Sequence, residues 1–258
     1  MRGLSPLPTP AAQSWALFLD VDGTLLDLAE HPDAVVVPEG LPKLLEKLTA
    51  ALDGALALVS GRSLASLDCL LGDTTFDAAG CHGAEMRIAG QLSILSDASQ
   101  DVALAAERLV RLASSSPLLM VELKPHSVAF HYRGSEFDAL KARQMAVEAI
   151  RGLEGRLRLL DGKQVVEVLP QAIGKGAAIA RFLASSAYRD RVPVFVGDDV
   201  TDEEGFKEVN QRGGISIHVG CRNDTCAQFK AKNVSDIAAW LSGPVCQALQ
   251  CHERDRAP

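Results

Sequence analysis

The chain alternates between uninterrupted apolar runs and stretches with one apolar face. Ala16 to Leu19 lead into a strand at 15–21, Ala55-Leu56-Ala57-Leu58-Val59 make a second, and Val192-Pro193-Val194-Phe195-Val196 a third. Runs of this kind suit strands buried on both faces. After a loop closed by Pro32 and Pro38, a helix from about Pro42 to Leu52 gathers Leu41, Leu44, Leu45, Leu48 and Leu52 on one face. Another passes through Leu64, Leu67, Leu70 and Leu71 and ends near Gly72. Continuous apolar strands separated by amphipathic helices predict an α/β fold with a doubly wound parallel sheet.

The rhythm changes near residue 99. A helix at about 99–114 precedes strands at 118–124 and 127–133, joined at Pro125-His126. A helix at about 135–151 precedes strands at 156–161 and 164–169, joined across Asp161-Gly162-Lys163. This αββαββ order holds two hairpins and reads as a separate α+β module. The first rhythm then returns: a helix at 174–186, the strand at 192–196, a helix at 201–211, a strand at 214–219 and a helix at about 234–249. The expected organisation is a Rossmann-like core, 1–98 and 170–258, with an inserted module at 99–169. The polar tail from Cys251 to Pro258 is expected to fray.

Composition narrows the class. The 258 residues are 47% apolar and 23% charged, as in an ordinary globule, and carry a net charge of −7. That charge argues against a nucleic-acid partner but not against an anionic substrate, because a bound divalent cation reverses the local field. Six scattered cysteines, with no CxxC pair, read as reduced thiols. No secretory pattern stands at the N-terminus, and no apolar run approaches the ~20 residues that span a bilayer. A cytoplasmic protein is expected, with no membrane partner, as a monomer.

The chemistry is concentrated at strand ends. Asp20 and Asp22 follow the first strand two residues apart and would share a face, with Gly23 and Thr24 turning the chain. Two close carboxylates repel unless a cation or proton offsets them. The second strand ends in Ser60-Gly61-Arg62, and the third in Gly197-Asp198-Asp199-Val200-Thr201-Asp202-Glu203, while Lys175 opens a helix between two glycines. In open parallel sheets, ligands bind at such carboxyl ends. Hard oxygen ligands suit Mg²⁺, an ammonium and a hydroxyl suit phosphate, and an Asp can attack phosphorus while a second carboxyl moves the proton. Taken singly, the same residues have blander readings. Asp20 and Asp22 can cap a turn, Thr201 with Glu204 forms a capping-box pattern, and a lysine at a helix start is usually solvated.

Together, DxDGT at 20–24, Ser60, Lys175 and the acidic motif at Asp198 resemble the haloacid dehalogenase (HAD) superfamily of phosphotransferases. The resemblance implies Asp20 as nucleophile, Asp22 as general acid and base, and Ser60 with Lys175 holding the phosphoryl group. It implies Mg²⁺ on Asp20, the main-chain carbonyl of Asp22 and Asp198, with Asp199 and Asp202 supporting. GDDVTDE at 197–203, SGR at 60–62, GCHGAE at 80–85, VELKPHSVAFHYR at 121–133 and VVEVLPQAIGKG at 165–176 are similar to trehalose-6-phosphate phosphatases. That similarity makes 99–169 a cap closing over the sugar. It implies substrate contacts from Arg62, Glu122, Lys124 and Glu167, and trehalose 6-phosphate as the small-molecule partner. Without it, charges on alternate strand positions equally describe a solvated face. His82 and His131 stay open between ligand and structural roles. Rival readings are a phosphatase for a sucrose-phosphate or mannosyl-phosphoglycerate, a phosphomutase, and a non-catalytic sugar-phosphate sensor.

Overall fold

The computed structural model describes residues 7–8, 15–29, 34–72, 76–94, 99–114, 116–135, 138–162 and 164–249. The Pro-rich N-terminal stretch apart from residues 7–8, Pro32, Lys163 and the tail from Cys251 lie outside them. Strand β1 (Trp15–Leu19) is buried at every position, and so is β2 (Leu56–Val59), as apolar runs in a twice-covered sheet require. Between them, helix α1 (Leu41–Ala51) buries Leu41, Leu45 and Leu48 and carries a proline in its first turn. Helix α2 (Leu64–Leu71) starts at Ser63, whose side chain accepts the Ser66 N–H, and stops at Gly72 with φ +81°. Three strands come next that the apolar pattern does not announce: β3 (Asp77–Gly80), β4 (Glu85–Ile88) and β5 (Gln91–Ile94).

After them stand α3 (Ser99–Ala113), β6 (Met120–Leu123), β7 (Val128–His131), α4 (Ala139–Ala149), β8 (Leu157–Gly162) and β9 (Val165–Pro170). The chain ends with α5 (Lys175–Ala184), β10 (Val192–Gly197), α6 (Glu203–Gln211), β11 (Ile215–Val219), β12 (Phe229–Ala231) and α7 (Val234–Trp240). The large sheet runs β12-β11-β10-β1-β2-β3-β4-β5. Pairing is parallel from β12 to β3, and antiparallel between β3 and β4. From β1 the chain steps outward to β5 and returns on the other side of β1, at β10. The β1/β10 border is therefore the point where strand order reverses, and there ligands collect in such sheets.

The chain divides into two units, 1–93 with 174–258, and 94–173, each with its own apolar core. In the first, Phe18, Phe182 and Tyr188 pack with ring centroids 5.2–5.7 Å apart. The Tyr188 hydroxyl donates to the Leu56 carbonyl and to Asp77 Oδ2, both at 2.9 Å, tying β2 to β3. In the second, an antiparallel sheet of order β6-β7-β9-β8 buries Val128, Phe130, Val166 and Val168 against α3 and α4. This is the α+β module expected from the two hairpin patterns.

Two helix expectations shift. The helix expected at 201–211 begins as a 3₁₀ turn at Val200–Asp202, and the capping box joins Asp199 to Asp202 rather than Thr201 to Glu204. The final helix passes after α7 into a π turn at Leu241–Val245, where Pro244 has no N–H to continue the ladder. No described helix is long and apolar enough to cross a membrane. No disulfide joins the five described cysteines.

Candidate active site

Asp20 leaves β1 at the border with β10, its N–H donating to the Val196 carbonyl at 2.9 Å. Its carboxylate is only 3% exposed and accepts the Thr24 hydroxyl at 3.1 Å. Lys175, the first residue of α5, reaches in with Nζ 2.7 Å from Asp20 Oδ1 and 2.6 Å from Asp202 Oδ1. The other Asp202 oxygen accepts the backbone N–H of both Asp198 and Asp199 at 2.9 Å. Asp202 is thus fully committed to its neighbours: it orients the ammonium and shapes the loop that carries Asp198. Gly197 leaves room for it, since a Cβ there would come 2.4 Å from the Asp202 carboxyl carbon.

Asp198 lies against the turn after β1. Gly23 has φ +79°, and a Cβ on it would meet Asp198 Oδ2 at 2.1 Å. Only glycine satisfies both the left-handed backbone and the close approach. Gly23→Ala is therefore expected to push the Asp198 carboxylate off Asp20 and lower turnover by on the order of 100-fold, the usual cost of misplacing a reacting group by about an ångström. Steady-state turnover of the variant checks this; a loss under threefold would mean the turn does not set the site.

One ammonium faces three carboxylates here. Oxygens of Asp20, Asp198 and Asp202 lie within 4.8 Å of one another. Burial, reinforced by Asp202, pushes the Asp20 carboxyl up to about 7 despite Lys175. Burial together with Asp20, Asp202 and Asp199 pushes Asp198 up to about 8. Burial alone would drive Lys175 toward neutrality, but the charges and hydrogen bonds of Asp20 and Asp202 win and hold it protonated. Carboxyls raised this far by burial and by one another's charge would be relieved by a cation, and the donor set fits a hard divalent metal. Of the five aspartates expected around a metal, Asp20, Asp198 and Asp202 come together. The Asp199 side chain is exposed and caps the Asp202 N–H.

The Asp22 side chain turns instead to Arg62, which donates from Nε at 2.6 Å and Nη2 at 2.7 Å. Such a parallel pair fixes a carboxylate strongly. Ser60 is buried, and its Oγ accepts the Arg62 N–H at 3.1 Å. Behind this loop stands a brace that strand patterns alone did not reveal. Cys81, His82 and Gly83 all have positive φ, at 48°, 58° and 101°. Cys81 N–H donates to the Arg62 carbonyl at 2.7 Å and His82 N–H to the Ser60 carbonyl at 2.9 Å. The His82 ring closes over Gly61, where a Cβ would lie 2.9 Å from it, and Glu85 Oε2 accepts the Leu64 N–H at 2.8 Å to cap α2. On the far side Arg181 of α5 donates to the Gly83 carbonyl at 3.2 Å. The 80–85 segment thereby couples the Ser60 loop to the helix that starts at Lys175. The GCHGAE motif was its signal in the sequence.

In the second unit, Glu122 and Glu167 flank Ala129 in one cross-strand row. Glu167 Oε1 accepts Lys124 Nζ at 3.3 Å and the Ser127 hydroxyl. The three residues assigned by resemblance to sugar recognition are gathered on the sheet face opposite the helices.

A doubly wound sheet with an aspartate, a lysine and an acidic loop at its switch point, plus an inserted α+β module, makes a HAD-like fold. A trehalose-phosphatase family model matches residues 18–236. The trehalose-6-phosphate phosphatase of Escherichia coli is 39% identical over 249 residues, covering 94% of this chain and 91% of that protein. A probable trehalose-phosphate phosphatase of Sinorhizobium fredii is 43% identical over 218 residues, 84% of this chain and 82% of its own. The chain belongs to the trehalose-phosphatase family. Its fold matches the Aspergillus fumigatus trehalose-6-phosphate phosphatase with a TM-score of 0.74 at 23% identity, covering 96% of this chain and all of that one. It also matches a Bacteroides thetaiotaomicron phosphatase of the HAD superfamily, with a TM-score of 0.64 at 17% identity over 94% of this chain and 98% of that one.

Proposed function

We propose that this protein hydrolyses trehalose 6-phosphate to trehalose and phosphate, with Mg²⁺ bound and an aspartyl-phosphate formed on Asp20. The observation that carries the reading is Lys175 Nζ held between Asp20 and Asp202 at the β1/β10 switch point. Lys175 neutralises Asp20 enough for its carboxylate to approach an anionic phosphoryl group, and Thr24 holds the other oxygen in line. Arg62 first releases Asp22, which takes up a proton from solvent; Asp20 then attacks phosphorus, the sugar oxygen departs, and Asp22 supplies its proton. Asp22, once deprotonated, takes a proton from the water that cleaves the acyl phosphate and regenerates Asp20. Ser60 donates to a phosphoryl oxygen, and Arg62 moves between Asp22 and the substrate. Asp20, Asp198 and the Asp22 carbonyl would hold Mg²⁺, with Asp199 and Asp202 in support; when bound it supplies positive charge beside the phosphoryl oxygens. Residues 1–98 and 170–258 form the catalytic core in this reading, and 99–169 the specificity module, with Glu122, Lys124 and Glu167 receiving sugar hydroxyls. The protein works in the cytoplasm as a monomer.

The test is free phosphate released from trehalose 6-phosphate, with and without Mg²⁺, beside sucrose-, glucose- and mannosyl-phosphate substrates. Mg²⁺-dependent release confined to trehalose 6-phosphate is expected. Release only from another sugar phosphate would discard the substrate, and silence on all would leave a sensor.

The raised carboxyls make a second, independent prediction. Asp20 and Asp198 bind protons more tightly folded than unfolded, so their stabilising contribution is complete below about pH 4. It is lost as pH rises through about 7 and about 8. The Tm of chelator-treated protein should therefore fall from about pH 4 to about pH 8 and level off above. Added Mg²⁺ should raise it most at the alkaline end, where binding displaces fewest protons. A Tm that rises across that window would show that the folded protein does not hold these protons more tightly than the unfolded chain.

A further inference from the structure

We propose that His131 is a positioning residue for sugar recognition, holding the Glu122 carboxylate in a single orientation; this rests on the sugar-phosphate reading above. Strand β7 sends Val128 and Phe130 into the apolar core of its unit, so Ala129 and His131 face the other side of the sheet. Glu122 of β6 stands opposite Ala129, and His131 lies on the diagonal, opposite Met120. From there His131 Nε2 reaches Glu122 Oε2 at 2.9 Å. An ionised carboxylate only accepts, so Nε2 carries the proton.

The two carboxylates of the row are fixed in matching ways. Glu167 is gripped by Lys124 and Ser127, and its side chain is 12% exposed. The Glu122 side chain is 50% exposed, on β6 at the sheet edge, and would sample several rotamers if nothing held it. Freezing those rotamers on binding weakens affinity, and a partner that freezes them beforehand restores it. His131 is that partner, and it occupies Oε2, leaving Oε1 to accept a sugar hydroxyl. Ala129, fully buried between the two glutamates, keeps the row low enough for a ring to settle across it. His131 itself touches no substrate; it acts through Glu122.

The experiment compares kcat and KM for trehalose 6-phosphate and for p-nitrophenyl phosphate in the parent, His131→Ala, His131→Gln, Glu122→Ala and the His131→Ala/Glu122→Ala double variant. His131→Ala should raise the KM for trehalose 6-phosphate about tenfold more than that for the aryl phosphate, the usual effect of one hydrogen bond to a charged group. His131→Gln, whose amide N–H can replace Nε2, should recover most of that difference. In the Glu122→Ala background, which removes the acceptor, His131→Ala should add little, because coupled residues are not additive. Equal effects on both substrates, or full additivity with Glu122→Ala, would overturn the proposal. A parent that cleaves trehalose 6-phosphate while His131→Ala matches it overturns only His131's role. A parent that cleaves the aryl ester but no sugar phosphate overturns the sugar reading, and this proposal with it.

Discussion

Replacing Asp20 with Asn is expected to abolish phosphate release, by on the order of 10⁴-fold or more, while the protein stays folded. The amide keeps the size of the carboxyl; its oxygen can still accept from Lys175 and its NH2 can donate to the Thr24 hydroxyl, yet it cannot attack phosphorus. The fold should tolerate it well, because burial and Asp202 already push the Asp20 carboxyl up to about 7, so its charge is costly where it stands. Stability at alkaline pH should equal or exceed that of the parent. Two measurements decide this: phosphate release, and a denaturation curve above about pH 8. Near-normal turnover would remove Asp20 as nucleophile. A protein that unfolds would mean the charge serves structure rather than chemistry.

Lys175→Met carries the second large effect, this time on stability. Lys175 is 4% exposed and bonds two nearly inaccessible carboxylates. Removing one partner of a buried ionic group typically costs about 3–5 kcal/mol, because the remaining charge has neither water nor a counter-ion. The loss should be larger at alkaline than at acid pH, since at acid pH Asp20, raised further once Lys175 is gone, can take up a proton and relieve part of it. Adding Asp202→Asn should restore part of the stability by removing one stranded charge, without restoring activity. Urea unfolding at two pH values reads both expectations. A single variant as stable as the parent at both would mean that Lys175 is not what neutralises this pair.

Much of this was legible because the strands that carry the chemistry are those buried on both faces. β1, β2 and β10 announce themselves as apolar runs, and the residues just beyond each run lie by geometry at the sheet's carboxyl edge. Strands β3, β4 and β5 were hidden for physical reasons. β3 is Asp-Ala-Ala-Gly, without a β-branched or aromatic residue, and β5 is exposed throughout, so neither shows a hydrophobic period. In β4 the adjacent Met86 and Arg87 are both buried, the latter because its guanidinium pairs with Asp68. At the site, residue types and strand ends gave Asp20, Ser60, Lys175 and Asp198. They did not give the partner of each. That Arg62 clamps Asp22, that Asp202 spends both oxygens on Lys175 and its own loop, and that His82 covers Gly61 all depend on register between segments far apart in the chain.

The pairing of β1 with β10, Trp15 opposite Val192 and Leu19 opposite Val196, has a bearing on how the molecule is made. On the ribosome, β1 and β2 emerge early, but the strand destined for the other edge of β1 appears only after the whole 94–173 unit. At roughly 5–20 residues per second, that apolar edge waits on the order of ten seconds for its neighbour. An open, fully hydrophobic strand edge is a template for pairing with other nascent chains. The separate core of the inserted unit shortens the effective gap, since a folded insert presents its ends as one compact loop to be closed. Vectorial synthesis therefore makes the candidate site at the β1/β10 border one of the last parts of the protein to exist.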